Sequence, residues 1–159
     1  MRVGSNDVLV RDYEPGDREA CRELFQELVE AHRRLYPDGD IGSEFTLDGT
    51  IFVAEVEGRL VGYAGLLWHG RRAELEPIVV ASTHRGRGVG RALAERVVEE
   101  ARHGGAVRIF VRPVARNRDA LAFFHSVGFD VLGYLELQIE FQPRERRGGE
   151  RIGGREFRV

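Results

Sequence analysis

Lysine is absent from this 159-residue chain; all 24 basic residues are arginine. The absence excludes a lysine Schiff base and a P-loop lysine. Cysteine occurs once, at Cys21. One thiol cannot close an internal disulfide or build a cysteine-based zinc cluster. No apolar run approaches the length of a membrane span, and the N-terminal residues carry no signal-peptide core. A cytoplasmic protein is the plain reading.

What is present fits a globular domain: 42% of residues are hydrophobic and 31% charged, at a length that suits one domain with a real core. The formal net charge is only −2, but it is unevenly spread. Asp12 to Glu57 holds thirteen acidic residues against four arginines, a balance of −9. Arg85 to Arg118 holds nine arginines against three glutamates, a balance of +6. Solvated helix faces explain such clustering, and so do two ligands: an anion at the middle segment and a cation nearer the N-terminal half.

Periodicity orders the elements. Val8 to Val10 reads as a first strand. After the "EPGD" turn, in which Asp17 can cap the first helix, Cys21, Leu24, Phe25, Leu28, Val29, His32 and Leu35 fall at helical spacing. Glu19, Glu23, Glu27 and Glu30 line the other side of that helix. The link from Tyr36 to Gly49 reads as a loop or a short second helix. Thr50–Val56 and Leu60–Trp68 form a hairpin, and Ala73–Val80 is a further strand. Gly88–Arg102 is an amphipathic helix, and Val107–Val111 a buried-type strand. Asn117 or Asp119 opens a helix that Gly128 ends, and Tyr134–Phe141 alternates like a strand. The order is that of an α+β domain with a mixed sheet flanked by helices. The Gly/Arg-rich stretch "RERRGGERIGGREFRV" reads as a flexible or small appended arm. With six arginines against three glutamates it is a weak nucleic-acid footprint, and it could add an intermolecular strand in a homodimer.

Between the Ala73–Val80 strand and the next helix lies "THRGRGVGRAL". A helix start leaves amide N–H groups unpaired and carries the positive end of the macrodipole. Glycines let those groups close around an anion, and Arg85, Arg87 and Arg91 add charge. A diphosphate suits such a turn. The spacing is not that of a Rossmann loop, because Arg91 stands where the third glycine is required.

Arg85-Gly86-Arg87-Gly88-Val89-Gly90 resembles the R/Q-x-x-G-x-G/A loop of the GNAT superfamily, the acetyl-CoA-dependent N-acetyltransferases. "LEPIVVASTH" looks like that family's fourth strand, and Asn117 to Phe129 is similar to its N-x-x-A-x-x-x-(Y/F)-x-x-x-G-F motif. The likeness spans Val8 to Phe141. It implies a single GNAT-like domain with a mostly antiparallel sheet over 1–142, followed by a tail over 143–159. It also implies acetyl-CoA as co-substrate and no metal; His69, His84 and His103 lie beside predicted turns and form no spaced metal set. The pantetheine arm would run along Ile78, Val79 and Val80, with the Ile78 N–H facing the thioester oxygen. Gly86, Gly88, Val89, Gly90 and the three arginines would hold the pyrophosphate, and Asn117 would touch the coenzyme. Arg116 and Arg118 are candidates for its 3′-phosphate.

An alkyl amine near pKa ~10.4 needs roughly 4–5 kcal/mol to expose its lone pair at pH 7. Glu74 and Glu76 occupy the positions that supply the base in many family members. A regular strand would put both on one face with Ile78, and Glu76 is favoured as the nearer. Many members carry a Tyr that reprotonates the leaving thiolate, but this chain has Phe124 there. His125 points about 100° away around the helix, and Tyr63 or Tyr134 would have to approach from elsewhere. Cys21 on the apolar helix face is expected in the core. Two functions are consistent with these residues: transfer of an acetyl group from acetyl-CoA to a cationic primary amine by direct attack in a ternary complex, or a non-catalytic acyl-CoA-binding sensor. The acceptor is a small molecule or peptide; membrane partners are not expected and nucleic acid is disfavoured.

Overall fold

The structure is a computed structural model that describes residues 7–35, 44–142, 145–146 and 148–159. Tyr36 to Ser43 of the expected link, with Asp38 and Asp40, lies outside the described residues. Internal contacts divide the chain into two compact units, Met1–Val111 and Arg112–Val159.

The first unit is a five-stranded sheet in chain order: β1 (Leu9–Asp12), β2 (Thr50–Val56), β3 (Arg59–His69), β4 (Arg72–Val80) and β5 (Arg108–Phe110). Neighbours are antiparallel up to β4, and β4 pairs with β5 in parallel. Helix α1 (Arg18–Leu35) joins β1 to the hairpin, and α2 (Val89–His103) joins β4 to β5 as a parallel connection requires.

The alternation along β2 and β3 assigns the two faces. Ile51, Val53, Tyr63 and Val79 form one cluster with Cys21 and Leu24 of α1. The opposite face meets α2: a Cβ on Gly62 would lie 3.1 Å from Leu93 and 3.3 Å from Val89. Val89, Leu93 and Val97 are buried there, each worth about 1.5–3 kcal/mol of removed apolar surface. Arg96 of α2 lies over the Phe52 ring at 4.2 Å and ion-pairs with Asp12 at 3.5 Å, fastening the helix to the first two strands.

Asp17 ties the entry of α1 to the sheet. It sits in a short 3-10 turn before α1, accepts the Glu14 N–H at 2.8 Å and receives two bonds from Arg11, at 2.7 and 2.9 Å. Arg11 also reaches Glu55 on β2 at 2.6 Å. One guanidinium thus binds β1, the helix entry and β2 together.

The second unit contains α3 (Arg118–Ser126) and a hairpin of β6 (Gly149–Ile152) and β7 (Arg155–Arg158). The Gly/Arg-rich tail, expected as a flexible or small appended arm, thus holds a hairpin over residues 149–158. Gly153 and Gly154 both take positive φ, 57° and 76°, which a two-residue turn between twisted strands requires. Arg118 ion-pairs with Glu150, tying α3 to β6.

Two expected strands change. Tyr134–Phe141 has the alternation but forms no strand, and Tyr134, Leu137, Ile139 and Phe141 are exposed. Period-two patterning makes one apolar edge but supplies no ladder partner, and none pairs with this stretch among the described residues. Val107–Val111 shortens to Arg108–Phe110 and is half-buried rather than buried, because β5 ends the sheet.

Hydrogen bonds from Arg11 hold Asp17 below the ordinary carboxylate range. A depressed native pKa adds stability above the unfolded value and loses it as pH falls through the native one. Asp17→Asn is expected to cost about 1.5–3 kcal/mol at neutral pH, and its deficit against wild type should close in acid. Urea titrations of both proteins across pH check this.

Candidate functional site

Strand β4 is irregular where the sequence points to chemistry. Ala64 stands opposite Ile78, whereas Leu66 stands opposite Leu75. One residue of β3, Gly65, therefore faces two of β4, Glu76 and Pro77: a β-bulge. The bulge re-aims side chains. Leu75 and Ile78 share a face, so Glu74 lies on the opposite one, on the side of Tyr63 and α1. The expectation that Glu74 and Ile78 share a face fails because strict alternation does not survive the extra residue. Glu76 is exposed at the bulge, while Glu74 is 1% exposed.

The bulge also marks a fork. The β4–β5 ladder ends at Glu74 opposite Phe110. Beyond it, Leu75–Val80 has β3 on one edge, and no strand pairs with the other among the described residues. The Ala81 N–H donates to Val61 O at 2.8 Å, which sets the phase of the antiparallel ladder. Val79 then spends its backbone groups on Tyr63, while those of Ile78 and Val80 point to the open edge. Val79 is buried, so of the three expected contact residues it is the one turned inward.

The open edge leads into the arginine–glycine turn. Arg85 Nε donates to Val80 O at 3.2 Å, folding the turn back along the edge. Gly86 has φ 71° and Gly88, which precedes α2, has φ 86°. Added Cβ atoms would meet nothing within 4 Å there, so backbone sign rather than crowding demands glycine. Arg85, Arg87 and Arg91 are not buried, Val89 is buried under the first turn of α2, and Gly90 is already helical. Arg91 is 3.7 Å from Glu95 one turn on. Outward strand amides, a helix start and fixed positive charge form one continuous strip.

Glu27 of α1 accepts the Ser82 N–H at 2.7 Å, across 55 residues of sequence. Hydrogen bonds from Ser82, with help from the Arg85 charge, hold this carboxylate below its ordinary range. Burial, with the Arg85 charge second, pushes His32 down and keeps it neutral near pH 7. Helix α1 is thereby clamped to the start of the turn. Nothing in the helical spacing sets Glu27 apart from Glu19, Glu23 or Glu30; the contact exists only in three dimensions.

His69 and Glu74 form a second unexpected pair. Nε2 lies 2.6 Å from Glu74 Oε2, and the ring packs on Phe110 with centroids 5.7 Å apart. Sequence alone set His69 aside as a turn residue. The signal lay in the tight Gly70-Arg71 reversal, which puts residues 69 and 74 on one face of adjacent strands.

The remaining candidates separate. Asn117 lies in the second unit, where its side chain accepts the Ala120 N–H at 3.1 Å and caps α3. Phe124 packs against Phe123 and Phe129 and carries no proton to give. Tyr63 is fully buried and its phenol is pushed up by burial, which removes it as a ready acid. Tyr134 is exposed in the second unit. Burial pushes the Cys21 thiol up to about 11, so it packs as an apolar group rather than a nucleophile. Part of the acidic surplus is engaged by groups from outside that segment: Asp17 and Glu55 by Arg11, Glu27 by Ser82, and Asp12 by Arg96. Charge balance alone therefore does not outline an acceptor cavity.

Residues 16–129 match the profile of the family described as Acetyltransferase (GNAT) family. Over 138 residues, 84% of this chain and 85% of the relative, the sequence is 33% identical to the N-alpha-acetyltransferase RimI of Mycobacterium tuberculosis. Over 100 residues, 60% of this chain and 53% of the relative, it is 33% identical to the streptothricin acetyltransferase of Streptomyces lavendulae; that match spans about half of the relative. Among solved structures, the aminoglycoside N-acetyltransferase AAC(6')-Iy in complex with CoA shares the fold. Its TM-score is 0.65 at 16% identity, covering 89% of this chain and 100% of that one.

The bulge depends on Gly65. A Cβ there would lie 2.3 Å from the Glu76 carbonyl oxygen and 3.2 Å from Ile51 Cδ1. Gly65→Ala is expected to cost about 1–3 kcal/mol through forced backbone movement. A lowered denaturant midpoint checks it, against a Gly16→Ala control in the turn before α1, where an added Cβ meets nothing within 4 Å.

Proposed function

This chain belongs to the GNAT acetyltransferase family, and on that premise we propose that it transfers the acetyl group of acetyl-CoA to a primary amine. The fork in β4 is the observation that carries the reading. Ile78 offers a donor and an acceptor, and Val80 a donor, to an extended amide-bearing chain, which is what a pantetheine arm is. The turn from Arg85 to Arg91 offers a helix start and guanidinium charge to a diphosphate. The residues present thus fit the coenzyme at both its arm and its phosphates. When bound, acetyl-CoA supplies an activated acyl carbon.

The chain's own part is to orient and to move protons. The Ile78 N–H is placed to stabilise negative charge on the carbonyl oxygen under attack. The acceptor arrives as an ammonium ion, and removal of its proton depends on the glutamates of β4, directly or through a group that one of them orients. Gly86, Gly88, Val89 and Gly90 present backbone amides; Arg85, Arg87 and Arg91 present charge. The RimI relative and the aminoglycoside neighbour are named as N-acetyltransferases, and the proposed acceptor is an amine of a small molecule or a peptide. Among the described residues no helix is long and apolar enough to cross a membrane, and catalysis is proposed to run in solution, in the cytoplasm.

Calorimetric titration with CoA is expected to give saturable binding. Gly88→Ala should weaken it by up to about 30-fold, since a non-glycine residue at φ 86° costs about 1–2 kcal/mol. Acetyl-CoA with an amine panel should release thiol, and at least one of Glu74→Gln and Glu76→Gln should lower kcat by about 100-fold with CoA affinity retained. Tight binding without turnover, and no effect of either substitution, would mean an acyl-CoA sensor instead; a side chain at position 124 that cannot donate a proton is compatible with that. Deletion of residues 144–159 is expected to leave CoA affinity unchanged.

A further inference from the structure

We propose that His69 is the group that accepts the ammonium proton of the acceptor, with Glu74 as its positioning residue. The inference rests on the N-acetyltransferase reading above and deepens it. Glu74 is the one buried charged residue among the described residues, at 1% exposure. A carboxylate so enclosed cannot touch a substrate amine. Its partner can: the His69 side chain is 42% exposed.

Geometry fixes the ring in a working orientation. Glu74 Oε2 lies 2.6 Å from His69 Nε2. An ionised carboxylate is acceptor-only, so it selects the tautomer with the proton on Nε2 and leaves a lone pair on Nδ1. Phe110 holds one side of the ring at 5.7 Å, and Arg72 lies 5.6 Å from the centroid of Phe110. Burying a charge is costly where an apolar pair would pack the same rung. A carboxylate orienting an imidazole is the arrangement that converts such a burial into proton transfer.

Position agrees with the role. Glu74 and Phe110 form the last rung before the fork opens, and the bulge draws Ile78 toward it along β4. The imidazole stands at the closed end of the fork, where an ordered water can link it to an amine facing the Ile78 N–H. One ammonium proton passes to Nδ1. The freed lone pair forms the C–N bond, the C–S bond breaks, and sulfur leaves with that electron pair. The second nitrogen proton goes to the departing thiolate. His69 then returns its proton to solvent, to which it is open.

The test uses the full chain, with CoA affinity by calorimetry and acetyl transfer to the best amine of the panel. His69→Gln can still donate to Glu74 but cannot take up a proton. It should keep CoA affinity within about twofold and lose about 100-fold in kcat. His69→Ala should lose at least as much, and added imidazole should restore turnover in proportion to its concentration. A merely structural histidine would be replaced by Gln without loss and would not be rescued. Full activity of His69→Gln, absence of rescue, or loss of CoA affinity in both variants would overturn the proposal. A wild-type protein that binds CoA yet acetylates no amine would instead defeat the transferase reading itself.

Discussion

A strand presents hydrogen-bonding groups along two edges, and past Glu74 the strand β4 has a neighbour on only one of them among the described residues. Unpaired strand edges are costly to bury and prone to stray pairing, so folds cover, shorten or use them. Here local chemistry creates the edge. Gly65 admits the carbonyl of Glu76 where any side chain would exclude it, and the extra residue turns β4 out of line. The same bulge moves Glu74 to the α1 side and leaves Glu76 outward. In the proposed account, one backbone irregularity creates both the coenzyme strip and the setting for proton removal.

Electrostatics supports that frame mainly by holding elements in place. Arg11 gathers Asp17 and Glu55, Arg96 joins Asp12 and the Phe52 ring, and Glu27 grips the amide of Ser82. These contacts consume carboxylates that look, in sequence, like a surplus awaiting a cationic ligand. The arginines of the 85–91 turn stay open to solvent, in keeping with an anion on that side. A charge balance counted along a chain therefore overstates ligand charge on the acidic side, where folding supplies the partners. Helix α1 also gains a direct link to the start of the turn, so the positions of the two are set together.

Local signals carried most of the first unit. Apolar residues at helical spacing placed α1, with Cys21 in the core as expected, and Thr50–Val56 forms β2 at its expected bounds. The arginine–glycine turn was visible because positive φ and helix-start chemistry leave a residue-level mark at Gly86 and Gly88. The bulge was not visible. Strict alternation put Glu74 beside Ile78, and only the pairing with β3 shows otherwise. Glu27 and His69 were missed for a related reason: their partners, Ser82 and Glu74, are neighbours only across the fold or across a tight turn. In the second unit a helix start at Asn117 or Asp119 was legible, and Asn117 supplies the cap; the strand at Tyr134–Phe141 was not formed, because pattern fixes faces while pairing needs a partner.

Amide hydrogen exchange with and without CoA reads the central claim residue by residue. The account predicts that saturating coenzyme slows exchange at Ile78 and Val80 and across Gly88 to Arg91, while Val79, already bonded to Tyr63, is unchanged. Exchange at Ile78 and Val80 that stays the same when CoA is demonstrably bound would contradict it, because the open edge of β4 would then not be where the coenzyme lies.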